Sequence, residues 1–431
     1  MRAPKPSLHV GMISLTDPDD ANRVSGMPHR VASALRAQGV RVTPIVAAPT
    51  GRDPRPARIY RRRVHPRLKR IGDNLFPRAT ADALRRRAAE LAAGVRAQLD
   101  ALCTTEARRR GETPDLLFGV CIATALADLD TDLPIVYFSD AASPIINATY
   151  PSFRVRGRAL LDTRVAIERA ALARVTRAAF AAPVARDSAI DDLGLDPAIA
   201  STIPMGANIT PADPVSVRAP SAPPSARDCR LLIIAADPER KRVDLAVRAA
   251  ESLRSSGIHA TLSVIGPGTR LARRSEAVDF CRPLLLSDPE HAAEHRRLLH
   301  ACHLQLLPSV GEAFGIAPTE SAHFARPSVV SDAGGLPFVV RHDDSGLVIP
   351  VEEPHQAWAN AIASLVRDPE RYRRYSAAAL ARARIEFTWS AWATKMVGVM
   401  HEAVDGGPAA IGTAPADVPD ISDHPRTRSA G

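Results

Sequence analysis

Glu312 and Glu320 stand with seven residues between them, and Phe314, Gly315 and Pro318 lie in that interval. Glu312 follows the apolar run Leu304 to Pro308, so it belongs to the loop after a buried strand. Pro318 suits the start of a helix, which places Glu320 in a first helical turn, where a carboxylate complements the dipole. Two carboxylates held apart in this way can each grip a separate pair of hydroxyls. Taken singly, each also has a plain role, Glu312 as a solvated loop acid and Glu320 as a helix-start acid.

Positive charge of a matching kind occurs at Arg240, Lys241 and Arg242, between an apolar run and a helical pattern. An ammonium there is a compact point charge suited to a diphosphate, and the same triplet could also be a solvated helix start. Lysine occurs only at positions 5, 69, 241 and 395, so Lys241 stands out in a chain that otherwise writes arginine. In the first half, Gly26 precedes a helical pattern and would let a ligand approach the backbone without meeting a Cβ. Asp140 ends the buried run Pro134 to Phe138. It either orients a ligand, with Ser139 assisting, or caps the next segment.

The elements that must position these residues alternate. In the first half, strands His9–Leu15, Val40–Ala47, Leu116–Val120 and Pro134–Phe138 are interleaved with helices after Gly26, over 82–102 and over Asp162–Ala179. After a Pro/Ala/Ser-rich stretch the alternation restarts with strand Arg230–Ala235, helix Val243–Ser255, strand Ala260–Ile265 and helix His291–His300. Strand Leu304–Pro308, helix Pro318–Phe324 and strand Ser328–Ser331 follow. Such alternation predicts parallel sheets covered on both faces, an α/β chain of two doubly wound, Rossmann-like domains facing each other across a cleft. The expected division is an N-terminal acceptor-binding domain over 1–206, a linker over 207–228 and a C-terminal domain over 229–386. A closing helix over 387–404 and an unstructured tail over 405–431 complete it.

With 431 residues, 45% hydrophobic and 24% charged, the chain has the composition of a globular protein with two or three cores. Its net charge of +9 is almost all arginine, which fits biased codon usage better than a nucleic-acid partner. Five widely spaced cysteines without a C-x-x-C pair suggest neither a disulfide framework nor a zinc knuckle, and a reducing cytoplasm is the expected location. No secretory signal or membrane span is expected. Nine basic residues between Arg52 and Arg70 could meet an acidic membrane surface, but they lack an apolar face, and a solvated loop fits them better.

The stretch from Leu306 to Pro350 resembles the E-x7-E signature of the retaining, GT-B-fold glycosyltransferases of family 4. Glu312, Phe314, Gly315, Ile316, Glu320, Pro327, Val329, Val330 and the run Gly334, Gly335, Leu336, Pro337 stand in register with it. The resemblance implies that Glu312 holds hydroxyls of a donor sugar and Glu320 the ribose of its nucleotide, with a UDP-sugar the expected donor and no cofactor. It places Lys241 on the diphosphate, assisted by backbone amides around Gly315 and Ile316 and around Gly335 and Leu336. Gly26 and Asp140 would face the same cleft from the other domain. The expected activity is transfer of a hexosyl group to a hydroxyl acceptor with retention and without a metal. A nucleotide-sugar epimerase or hydrolase of the same fold, or an inactive transferase-like partner that binds the nucleotide sugar, is the alternative.

Three departures accompany the resemblance. Relatives carry an arginine where this chain has Ala235, and Arg240 is the substitute candidate. The glycine of the usual G-x-P is Ala325, and the acid that commonly follows G-G-L-P is Phe338. Two other signals carry less. The acids Asp128, Asp130 and Asp132 precede a strand rather than follow one, which argues against a metal role. Gly266 and Gly268 lack the third glycine of a dinucleotide fingerprint.

Overall fold

The structure, a computed structural model, describes residues 8–20, 26–49, 77–150, 154–155, 157–209 and 222–406. Ser25, the basic segment 52–70, the centre of the linker and the tail beyond 406 lie outside the described residues.

Two six-stranded parallel sheets form the frame. The first contains β1 (His9–Ser14), β2 (Arg41–Val46), β3 (Leu116–Val120), β4 (Ile135–Ser139), β5 (Arg177–Phe180) and β6 (Ala200–Thr202), in the order β2-β1-β3-β4-β5-β6. The second contains β7 (Cys229–Ile234), β8 (Ala260–Ile265), β9 (Val278–Arg282), β10 (Leu304–Leu307), β11 (Ser328–Ser331) and β12 (Gly346–Ile349), in the order β12-β11-β10-β7-β8-β9. Strands β1, β3, β4 and β10 are buried along their whole length, as parallel strands covered on both faces must be.

The helices of the first lobe are α1 (Met27–Ala37), α2 (Pro77–Leu102), α3 (Thr105–Arg109), α4 (Ala123–Leu126), α5 (Ser143–Thr149), α6 (Arg158–Leu172) and α7 (Pro183–Asp191). Those of the second are α8 (Val243–Ser255), α9 (Pro289–Ala301), α10 (Ile316–His323), α11 (Leu336–Val339), α12 (His355–Arg367) and α13 (Pro369–Glu386), and α14 (Trp389–Asp405) follows. Strand order reverses between β1 and β3 in one sheet and between β7 and β10 in the other. In doubly wound sheets ligands sit beyond the carboxyl ends of the strands at such a point.

α14 returns to the first lobe. Trp392 packs edge-on against Phe138 at 5.2 Å between ring centroids and lies 6.3 Å from Phe118. Its amino end is seated on Gly206, where an added Cβ would lie 2.4 Å from the Trp389 nitrogen. Ala207 N–H donates to the Phe387 carbonyl at 3.0 Å beside it. One apolar core therefore runs from β1, β3 and β4 through α14 to Phe314 and Leu336 of the second lobe.

The expected helix over Asp162–Ala179 is wrong at its end. α6 stops at Leu172, and Arg177–Phe180 is a strand paired with β4 on one side and β6 on the other. Its alanines carry helix propensity, but burial between two parallel neighbours decides the backbone. β9 and β12 have no counterpart in the expected element order. The helix expected from Pro318 begins two residues earlier, at Ile316, so Glu320 lies in its second turn rather than its first.

Candidate active site

Loops leaving the carboxyl ends of β7 and β10 bring Arg240, Lys241 and Glu312 into contact. The Arg240 guanidinium donates through Nη1 to Glu312 Oε1 at 2.7 Å and to the Gly311 carbonyl at 2.6 Å. Ser309 Oγ donates to the same carboxylate oxygen at 3.1 Å, and Lys241 Nζ stands 3.5 Å from it. Glu312 is only 7% exposed, so these partners compensate the cost of taking its charge out of water. Every one of these contacts falls on Oε1. Among the described residues Oε2 accepts no hydrogen bond, which leaves it to meet a ligand hydroxyl.

The Glu312 loop keeps its shape because backbone packs on backbone. A Cβ at Gly334, where φ is +57°, would lie 1.9 Å from the Glu312 carbonyl oxygen, and one at Gly335 would lie 2.3 Å from that of Ala313. Gly335, expected to offer its amide to a donor, donates it to the Glu312 carbonyl at 2.9 Å. Leu336 N–H likewise closes a turn onto the Ala333 carbonyl at 3.2 Å. Phe314 points into the core, edge-on to Phe387 at 6.2 Å, so its part in the site is played by its backbone. Gly315 takes φ +111° and starts α10. The first N–H groups of that helix, from Ile316 onward, lack helical acceptors and present a partial positive charge.

Glu320 does not touch the Glu312 cluster. It is 4% exposed, and its Oε2 lies 3.5 Å from His295 Nε2 on α9. Burial lowers the pKa of Arg30, on α1 of the other lobe, and the negative charge of Glu320 partly offsets this. At the position of the absent arginine, Ala235 is fully buried against Gly266, and Arg240 is the second cation beside Lys241.

Asp140 stands in the first lobe, 3.7 Å from Cys121 Sγ and apart from the charged cluster. Burial pushes its carboxyl above the usual range, and the charge of Glu312 across the gap adds to the shift. It lines a cavity of about 180 Å³ together with Thr124, Ser139, Arg164 and the buried Glu168. Glu168 accepts from Ser143 N–H at 2.7 Å and thereby fixes the start of α5. Gly26, at φ +74°, opens α1, and Cys121 at φ +50° ends β3. Two positive φ values thus shape the loops at the strand-order reversal of the first sheet.

Of the three departures noted in the sequence, only Ala325 has an unusual backbone, one that it shares with Arg242. Ala325 and Arg242 both take left-handed conformations, at φ +57° and +51°. Relatives supply glycine at the first, and a side chain there costs about 1 kcal/mol. The acids Asp128, Asp130 and Asp132 lie before β4, and Asp130 is 3.8 Å from Arg96. No group of three or more His, Cys, Asp or Glu side chains among the described residues is arranged to hold a metal ion. No described helix is long and apolar enough to cross a membrane.

Sequence reasoning passed over Ser309, His295, Arg164, Glu168 and Tyr150. Ser309, in the run Pro308-Ser309-Val310-Gly311-Glu312, was findable as a small hydroxyl three residues before the acid. The others come from elements distant in sequence, and no local spacing marks them.

Two parallel-sheet lobes with a charged cluster at a strand-order reversal define a GT-B architecture. Residues 224–382, within the second lobe, match the family described as Glycosyl transferases group 1. Among curated proteins, the chain is 35% identical over 147 residues to a D-inositol 3-phosphate glycosyltransferase of Thermobispora bispora, covering 32% of this chain and 34% of the relative. It is 29% identical over 303 residues to the D-inositol 3-phosphate glycosyltransferase of Kineococcus radiotolerans, covering 63% and 69%. The chain thus spans about a third of the length of the first relative and about two thirds of the second. Among solved structures, a sucrose-phosphate synthase from Thermosynechococcus elongatus superposes with a TM-score of 0.62 at 16% identity, covering 93% of this chain and all of that one. At that identity the likeness establishes the fold.

Proposed function

We propose that this protein is a glycosyltransferase that moves a hexosyl group from a nucleotide diphosphate sugar to a hydroxyl acceptor with retention at the anomeric carbon. The observation that carries the reading is the clamping of Glu312 Oε1 by Arg240 and Lys241, with Oε2 left open, at the reversal point of the second sheet. Oε2 would accept from hydroxyls of the donor sugar. The two cations and the amino end of α10 would face the diphosphate, where charge develops as the bond from the anomeric carbon to the phosphate oxygen breaks. Donors fixed in place before reaction stabilise that charge more than the ground state. The acceptor oxygen bonds to the anomeric carbon on the face the phosphate leaves, and its proton passes to the departing phosphate oxygen.

The cavity beside Asp140 is the proposed acceptor site. It offers the carboxyls of Asp140 and Glu168, the hydroxyls of Thr124, Tyr137, Ser139 and Ser143 and the Arg164 guanidinium, a set suited to a small polyhydroxylated molecule. The names of the curated relatives, which act on an inositol phosphate, support that class. Glu320 would hold the ribose.

A donor screen tests this. The purified chain is incubated with UDP-, GDP- and dTDP-sugars, and nucleoside diphosphate release is followed with and without polyol, glycoside and lipid-linked acceptors. Release that depends on an acceptor is expected. Equal release without any acceptor would make it a hydrolase, and donor binding with no turnover under any acceptor would make it a non-catalytic partner. Glu320→Gln should weaken nucleoside diphosphate binding by about tenfold, the value of one well-made hydrogen bond to a charged group.

A further inference from the structure

Arg240 is held from two sides. One face of its environment is the loop that carries Glu312, through the bonds to Glu312 Oε1 and the Gly311 carbonyl. The other belongs to the opposite lobe, where the guanidinium carbon stands 4.7 Å from the centroid of the Tyr150 ring. Tyr150 follows the last residue of α5, and its N–H donates to the Ile146 carbonyl at 3.0 Å. Its hydroxyl oxygen accepts from the Ala313 N–H at 2.7 Å, the amide next to Glu312. One residue earlier, a Cβ at Gly311 would lie 2.4 Å from the Thr149 carbonyl oxygen, so only glycine lets the two backbones meet this closely.

The end of α5 therefore seats residues 311–313 and the cation bonded to them. A guanidinium over an aromatic face loses one direction of freedom and stays available for charge pairing at its edge. Burial pushes the Tyr150 phenol well above its ordinary pKa, so it remains a neutral hydroxyl under working conditions.

We propose that Tyr150 is a positioning residue of the donor site, which carries Arg240 on its ring and the Ala313 amide on its hydroxyl, so that the first lobe sets where the second lobe's diphosphate cation stands. The inference rests on the nucleotide-sugar reading above. It gives the substitution at Ala235 a physical consequence: the cation that replaces the missing arginine is aimed by a residue of the opposite lobe.

The test is a double-mutant cycle on the full chain, read by titration with UDP and GDP and by donor and acceptor KM in the transfer assay. Tyr150→Leu is expected to weaken nucleoside diphosphate binding and raise donor KM by about tenfold, the scale of one desolvated cation–π contact, with acceptor KM unchanged. Tyr150→Phe keeps the ring and should stay within about threefold of the wild type, the hydroxyl contributing one neutral hydrogen bond. In an Arg240→Ala background, Tyr150→Leu should add no more than about threefold, the share of the lost hydroxyl, because no guanidinium remains to be aimed. Multiplicative losses in the double variant, or a Phe variant as impaired as the Leu variant, would overturn the assignment. Should the wild type bind neither diphosphate, the nucleotide-sugar reading falls and this inference with it. Binding by the wild type with multiplicative losses removes the Tyr150 role alone.

Discussion

The carboxyl edges of the two sheets are built from different material. At the edge of the second sheet, charge meets charge within hydrogen-bonding distance, with Arg240 and Lys241 on one oxygen of Glu312 and Ser309 beside them. At the edge of the first, Asp140 stands beside a thiol and lines a cavity that Arg164 and Glu168 of α6 also line. On the proposed reading, the first arrangement would recognise a polyanion through fixed charges, and the second a smaller molecule through shape and a few hydroxyl-binding groups. The contrast teaches that the second sheet gathers its charges from two adjacent loops into one compact cluster, whereas the first builds a cavity whose walls come from several elements.

The comparison can be broken at its strongest point. Glu312→Gln should lower turnover by about a hundredfold or more, through loss of a charge-assisted contact made as the transition state forms, while the melting temperature changes by only a few degrees. Nucleoside diphosphate release with donor and acceptor present measures it, and near-normal rates would dissolve the donor cluster. Glu312→Ala is a harsher test of stability, since it leaves Arg240 and Lys241 without their carboxylate.

The first lobe's half of the contrast is sharpened by Asp140→Asn. It should raise acceptor KM by about tenfold, one lost charge-assisted hydrogen bond, and leave UDP affinity unchanged. A loss of UDP affinity instead would move Asp140 to the donor side.

The opposite ends of the sheets can be compared by acid. His9 at the start of β1 and His303 just before β10 are both buried, and burial lowers the pKa of each, that of His303 to about 4. The unfolded chain takes up the His303 proton near its ordinary value of 6.5, before the folded chain does. Stability is therefore full above that pH, is lost as pH falls toward about 4, and falls no further from this group below it. Thermal melts across that window should show a decline of a few degrees, and His303→Asn should flatten it.

The smallest expected effect concerns Ala325. At φ +57° a glycine is free of the Cβ collision, so Ala325→Gly should be near neutral or stabilise by up to about 1 kcal/mol, although an alanine-to-glycine change normally destabilises a buried position. Denaturant melts would show it, and a loss above about 1 kcal/mol would mean that the methyl packing outweighs the strain.

Legibility differed along the same divide. Val243–Ser255 and Ala260–Ile265 have the bounds read from the sequence, because apolar periodicity and length agree there. Arg177–Ala179 falls inside the helix expected from sequence, because alanine carries no trace of the strand neighbours that hold it extended. Glu312 and Lys241 stand out in the sequence through the family motifs they match, and Arg240 as the substitute for the arginine missing at Ala235. Tyr150 does not, because what marks it is a guanidinium ninety residues away along the chain.

The amino-acid order alone determined the two alternating halves, the pair of acids and the lone lysine, because each is a matter of period and spacing within a short window. Folding decided which oxygen of Glu312 is clamped, that Gly335 gives its amide to the backbone, that Glu320 meets His295, and that Tyr150 reaches across to Arg240. These are meetings of groups apart in the chain, made by the topology of the second sheet and, for Tyr150, by the approach of α5 to the other lobe, and no local pattern encodes such a distance.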